Sequence, residues 1–366
     1  MINKDAVTID WIKKVSAENK QADKILVEKL IHALLLLEGL AIHEIPFVFK
    51  GGTALMLHLN STKRLSIDID IILPAPIGNY EFELDTIVKE QGFIRKELQY
   101  RQTKLKIDKE HYKFFYTPLH KSNKIEEYIL LDILFEDIMY KKLEKIPIKS
   151  SFLPAVEIPV YVNIPSKEDM LGDKLTAFAP NTTGIPYYKN EDSMSMEIIK
   201  QLYDIGNLID VVEDMNIIKA TFSNFATSEL SYRNIENKTE NDVLDDIVLT
   251  SLCIVTRGAD GNGDFYQLQQ GIQRVANFIF SEKYHIEKAI IHASKAAYIA
   301  SLIKNNKLNI EKYENPGQVK DWVISDHKIS KLNKLKKSNP EAFFYWYKIF
   351  EIRTNQLMTA TVNEKN

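Results

Sequence analysis

Pro46-Phe47-Val48-Phe49-Lys50-Gly51-Gly52-Thr53-Ala54-Leu55 and, ten residues on, Leu65-Ser66-Ile67-Asp68-Ile69-Asp70-Ile71-Ile72-Leu73 decide how this chain is read. The first stretch is a short apolar run that stops at a glycine pair, after which Thr53 is expected to cap a helix over Ala54 to Leu59. The second alternates, and so reads as a strand over Leu65 to Leu73. Residues two apart on a strand share a face, so Asp68 and Asp70 project together while Ile67, Ile69 and Ile71 take the other side. The order is strand, glycine turn, helix, loop (Asn60 to Arg64), strand.

Two adjacent carboxylates repel unless a cation lies between them, and hard oxygen ligands suit Mg²⁺ or Mn²⁺. Gly51 and Gly52 allow backbone N–H groups close to a ligand, and the helix start adds its dipole and the Thr53 hydroxyl, which together make an anion cradle. A cradle and a metal-binding pair on neighbouring elements describe a site that holds an NTP by its metal-bound phosphates. Each motif alone is weak; their conjunction within about twenty residues is the signal.

Outward from this centre, Ile25, Leu26, Leu30, Ile31, Leu34 to Leu37 and Leu40 fall at helical spacing and predict a buried helix over Lys24 to His43. Downstream, the second strand ends at Pro74 to Pro76 and Tyr80 to Gln91 reads as a helix. Gly92 to Ile107, Tyr112 to Tyr116, Glu127 to Phe135 and Val156 to Ile164 read as further strands. Residues 1–165 are thus expected to form an α+β (α/β) core, a mixed sheet with flanking helices.

Ser166 and Asp169 resemble a capping box opening a helix over Met170 to Ala179. Helical patterns follow at Met196 to Val212, Asp242 to Val255, Phe265 to Phe280 and Ile286 to Ile303, so residues 166–366 are read as a mainly helical lobe. Asn181 to Ser195 is expected to be a long mobile loop.

With 366 residues, 45% hydrophobic and 27% charged, the chain exceeds what one core usually serves, which agrees with two lobes. The single cysteine, Cys253, cannot close an internal disulfide, which points to a reducing compartment and the cytoplasm. Met1 to Asp5 carry no apolar leader, and no run approaches the ~18–20 apolar residues of a spanning helix, so no membrane role is expected. A formal net charge of −3 gives no global attraction to nucleic acid. The clearest candidate for a local contact sets Lys328, Lys331, Lys334, Lys336 and Lys337 among Ile329, Leu332 and Leu335, and reads as the solvated face of an amphipathic helix rather than a nucleic-acid clamp. Asp260-Gly261-Asn262-Gly263-Asp264 departs from a calcium loop at Phe265 and Gly271 and reads as a polar turn. His58 is read as packed or solvated, and Phe343 to Tyr347 as the anchor of a terminal helix.

Four blocks taken together, Phe49 to Leu55, Arg64 to Asp70, Asp173-Lys174-Leu175-Thr176-Ala177-Phe178 and Lys200-Gln201-Leu202-Tyr203-Asp204, resemble the motifs of the AbiEii/AbiGii toxin family, which includes the mycobacterial MenT toxins. The resemblance implies a DNA polymerase β-like nucleotidyltransferase fold and a toxin of a type IV toxin–antitoxin or abortive-infection system. It also implies NTP as substrate, a cognate antitoxin, and RNA as acceptor, as MenT toxins extend the 3′ end of tRNA. It assigns Lys50, Gly51, Gly52, Thr53, Ser66 and Lys174 to nucleotide binding, Asp68 and Asp70 to the metal, and Asp204 to the late aspartate of the site. A lysine there offers charge to the leaving pyrophosphate, and an aspartate orients it or takes the acceptor's proton. Such folds commonly add a third carboxylate, and Asp132, inside Tyr128 to Phe135, is the candidate for second-metal ligand or base. Two departures stand out: fourteen residues separate Thr53 from Asp68, and nothing from Ser223 onward is familiar. Transfer to a small molecule or protein, or NTP binding without turnover, are the alternatives.

Overall fold

The computed structural model describes residues 2, 6–59, 63–74, 80–99, 108–120, 125–154 and 158–363. Expectations at 1 and 3–5, in the loop at 60–62, at 75–76, over 100–107 and at 156–157 lie outside the described residues. The chain divides into two compact units, Met1–Ser166 with Asn277–Lys283, and Lys167–Ala276 with Tyr284–Asn366.

The first unit opens with α1 (Ile9–Glu18) and α2 (Lys24–Ile42), capped by the side chains of Thr8 and Asp23. It continues β1 (Val48–Lys50), α3 (Gly51–His58), β2 (Ile69–Leu73), α4 (Glu81–Glu90), β3 (Arg95–Leu98), β4 (Asp108–Tyr116), β5 (Glu127–Phe135), β6 (Leu143–Pro147) and β7 (Tyr161–Pro165). These strands form a mixed sheet in the order β3-β4-β5-β2-β1-β7-β6, with β2–β5 and β1–β7 parallel and the other pairs antiparallel. On β5, Ile129, Leu131 and Ile133 are buried and alternate with half-buried Leu130, Asp132 and Leu134, as a strand with one fully covered face should. On α2, His32 stacks on Tyr116 of β4 with ring centroids 3.8 Å apart. Among the described residues neither nitrogen of His32 has a hydrogen-bond partner, and burial lowers its pKa to about 4.

Several expectations change. The strand read over Leu65 to Leu73 begins only at Ile69, so Asp68 precedes it. The cause is tertiary: the Thr53 hydroxyl donates to the Asp68 carbonyl at 2.7 Å, the Leu65 N–H goes to Phe278 O at 2.9 Å, and Arg64 bridges Ile279. The helix starts at Gly51 with Lys50 as its N-cap, so Thr53 sits inside the first turn. β4 begins four residues earlier than expected, β7 begins at Tyr161, and β6 was not foreseen.

The second unit contains α5 (Lys167–Ala177), a hairpin of β8 (Tyr188–Lys189) and β9 (Asp192–Ser193), α6 (Ser195–Leu208), α7 (Met215–Tyr232), α8 (Glu240–Val255), α9 (Phe265–Val275), α10 (Ile286–Lys304), α11 (Leu335–Ser338) and α12 (Pro340–Asn363). Its centre is α10, which packs against α6, α8 and α12. The helix read over Phe265 to Phe280 stops at Val275 and turns through a 3₁₀ segment, because the next residues belong to the first unit. The segment read as a mobile loop is pinned at its start: Asp246 accepts from the Asn181 N–H at 2.8 Å, from the Asn181 amide at 2.6 Å and from the Thr182 hydroxyl at 2.9 Å. Phe343, Phe344, Tyr345 and Trp346 are buried on α12. Among the described residues no helix is long and apolar enough to cross a membrane.

Candidate active site

Strand register builds the centre of the site. Asp70 on β2 lies opposite Asp132 on parallel β5 and opposite Lys50 on antiparallel β1, while Asp132 lies opposite His111 on β4. His111, Asp132, Asp70 and Lys50 therefore form one row across four adjoining strands. Their neighbours Ile69, Ile71, Leu131 and Ile133 are buried towards the other face. Strands lie ~4.8 Å apart. At that separation two carboxylates at an effective dielectric of ~20 repel by about 3 kcal/mol. The row sets a basic residue at each end of its acidic pair. One end is a formed contact: His111 Nδ1 is 2.7 Å from Asp132 Oδ1, and since a carboxylate only accepts, Nδ1 carries the hydrogen.

The glycine pair is shaped by the same row. Gly51 has φ +83°, and a Cβ there would lie 2.1 Å from Asp70 Oδ2, so the Asp70 carboxylate rests against the Gly51 backbone. Only glycine satisfies both the dihedral and the space. At Gly52 a Cβ would come within 2.6 Å of both Arg64 Nη2 and Ser66 Oγ. A guanidinium and a hydroxyl thus close over the first turn of α3, whose N-cap Lys50 contributes no side-chain cap. Helix N–H groups, a guanidinium and a hydroxyl around one glycine form a setting for an anion. Asp68, half-buried, is tied to the same turn through Thr53, whose hydroxyl donates to its carbonyl.

Lys174 and Asp204 belong to the second unit. Lys174 Nζ is 2.8 Å from Asp204 Oδ2 and 3.4 Å from Gln201 Oε1, and the two charged side chains are only 9% and 3% exposed. Gln201 and Asp204 are three apart on α6 and therefore share the helix face that α5 meets. The other sequence-derived candidates, Lys50, Gly51, Gly52, Thr53, Ser66, Asp68, Asp70 and Asp132, lie in the first unit.

Among the described residues no three His, Cys, Asp or Glu side chains group as a ready-made metal cage. Mg²⁺ rarely needs one: it is usually held by one or two carboxylates and completed by water and substrate phosphates. Carboxylate oxygens at Asp70 and Asp132 in register, with Asp68 just before, fit that donor set.

His111, Arg64 and Gln201 were not singled out from the sequence. Arg64 and Gln201 lie within blocks already quoted, whereas His111 is visible only once the β4–β5 register is known. Two discounted signals keep their plain readings. Asp264 caps α9 by accepting from the Gln267 N–H at 3.1 Å, and His58 packs 3.6 Å from the Glu144 carboxylate.

The family described as "Nucleotidyl transferase AbiEii toxin, Type IV TA system" matches residues 35–251. Two solved structures from Helicobacter pylori are similar. JHP933 is 14% identical with a TM-score of 0.40, covering 84% of this chain and 95% of that one. A candidate nucleotidyltransferase is 18% identical with a TM-score of 0.43, covering 78% and 97%. No curated protein matches.

Proposed function

This chain belongs to the AbiEii family of nucleotidyl transferase toxins from type IV toxin–antitoxin systems, and from that premise we propose that it moves a nucleoside monophosphate from an NTP onto an RNA 3′ hydroxyl, a tRNA being the acceptor the family resemblance favours. One observation carries the reading: the register that lines up Asp70 with Asp132 beside a glycine turn overhung by Arg64 and Ser66.

The first turn of α3, with Ser66 and Arg64 over Gly52 and Lys50 and Thr53 on either side of the pair, binds the triphosphate. Asp68 and Asp70, with Asp132, would hold Mg²⁺ or Mn²⁺, which when bound neutralises charge on the transferring phosphoryl group. The family resemblance assigns the ammonium of Lys174, which Asp204 holds, to the charge that develops on the leaving pyrophosphate. With Asp204 engaged by that lysine, the proton of the attacking hydroxyl falls to Asp132, whose carboxylate His111 orients. In-line attack on the α-phosphorus then depends on positioning rather than on a covalent enzyme intermediate. A cognate antitoxin is the expected protein partner, and the cytoplasm the expected setting.

The test incubates the purified protein with each labelled NTP, Mg²⁺ and total RNA, beside an Asp70→Asn variant. Label in RNA from the wild type alone is expected. Label confined to small molecules or protein would move the acceptor to those classes, and NTP binding with no label transferred from any NTP would end the catalytic reading.

A further inference from the structure

The segment read as an amphipathic helix face is instead a 3₁₀ helix over Ser330–Lys334 running into the short α11. In a 3₁₀ helix residues three apart eclipse, with about 2 Å of rise per residue. Lys331 and Lys334 therefore stand directly in line. Lys328 in the turn before the 3₁₀ helix and Lys337 on α11 flank this pair, and all four are exposed. The inner side is fixed: Ile329 and Leu332 are buried, and the Asn333 side chain accepts from the Ile324 N–H at 3.0 Å and donates to Ile324 O at 2.9 Å. The fifth lysine does not belong to the line. Lys336 turns inward, its ammonium 2.6 Å from Trp322 O and over the Phe343 ring. Of the four outward lysines, Lys331 has an ion pair, 3.2 Å to Asp260, and its side chain remains 69% exposed.

We infer that Lys328, Lys331, Lys334 and Lys337 form a phosphate-tracking strip that grips the sugar–phosphate backbone of the acceptor RNA. From 328 to 337 there are five lysines and no acid, in a chain of net charge −3. The step of about 6 Å between Lys331 and Lys334 matches the interval between successive phosphates of one strand, and Lys328 and Lys337 extend the positive charge on either side of it. Lysines directed at phosphates contribute affinity and register rather than sequence preference. This inference rests on RNA being the acceptor.

The experiment measures binding of an in vitro transcribed tRNA over a salt series, and KM for the same tRNA in labelled-NTP transfer. It uses the full chain and a variant with Lys328→Gln, Lys331→Gln, Lys334→Gln and Lys337→Gln. A charge-matched control replaces the exposed lysines Lys89, Lys145, Lys149 and Lys307 by Gln. Each lost single-strand phosphate contact lowers the log–log salt slope by about 0.7, so the strip variant should lose roughly 3 in slope. Its KM for tRNA should rise by about tenfold or more, while the control moves little and NTP affinity and melting temperature hold in both. A strip variant that matches the control in slope and KM overturns the strip and leaves RNA transfer standing. Wild type that labels no RNA sinks the functional reading itself, independently of the slopes. Loss of poly-L-glutamate binding with an unchanged tRNA slope assigns the strip to an acidic protein and also overturns the proposal.

Discussion

His111 with Asp132 and Lys174 with Asp204 are contacts of nearly equal length, 2.7 and 2.8 Å, in different surroundings. In the first unit the partners are 12% and 34% exposed; in the second, 9% and 3%. Distance therefore says little about what each contact contributes. The wet pair is screened and adds little stability, so its carboxylate stays available to ligands. The dry pair has lost hydration on both sides, and removing one partner strands a charge in low dielectric.

The largest expected effect tests the dry side. Asp204→Leu leaves the Lys174 ammonium buried without its counter-charge and should lower stability by about 3–5 kcal/mol, read by chemical denaturation. Adding Lys174→Met should restore most of that stability without restoring transfer; a double variant as unstable as the single would show that the pair's burial is not what matters. On the wet side the expectation is inverted. Asp70→Asn should leave the melting temperature within a few degrees, because it relieves a like-charge neighbour. It should reduce transfer by about 10²–10³-fold, the scale of losing one electrostatic group at a reacting centre. A large fall in stability with transfer intact would reverse the assignment.

A third test compares the two faces of the sheet through their histidines. Burial holds the folded pKa of His32 near 4, below its ordinary 6.5, so the unfolded chain binds the extra proton between those values. The sign follows: stability is complete above pH 6.5 and falls as the pH drops towards 4. The slope is about 1.4 kcal/mol per pH unit where this group dominates. His32→Phe should flatten that dependence in denaturation curves taken across the window, and an unchanged slope would remove His32 as its source. The smallest effect is at the wet pair itself. His111→Ala should change stability by only about 0–1 kcal/mol, yet slow transfer measurably, whereas His111→Asn, which can still donate to Asp132, should recover part of the rate.

The legible part of this protein lay where period and chemistry coincide. Glu127 to Phe135 is a short run rich in large apolar and aromatic residues, and the observed β5 has those limits. The glycine pair and the aspartates were legible because they fall together within about twenty residues, in strand, turn, helix, strand order. Register was not legible. That Asp132 meets Asp70, and His111 meets Asp132, follows from backbone pairing between strands far apart in sequence. The β6 strand was hidden because an edge strand rich in Lys and Glu lacks the apolar signal. On α7, Thr221 fills a buried position beside Phe222 and Phe225 and blurs the helical period. Asp68 left its strand because a hydroxyl in another element claimed its carbonyl, an event no local pattern encodes.

The return of residues 277–283 to the first unit sets an order in time. Leu65 N–H, the Arg64 bridge and the Lys63 carbonyl take their partners from Phe278, Ile279 and Ser281, the last 218 residues downstream. At ~5–20 residues per second a ribosome needs about 10–40 s to cover that interval. Throughout it, the segment that carries Arg64 and Ser66 over the glycine turn lacks its backbone anchors. A nascent chain is therefore expected to stay inert until residues 277–283 have been made, a built-in delay that protease sensitivity at Arg64 in stalled chains would time.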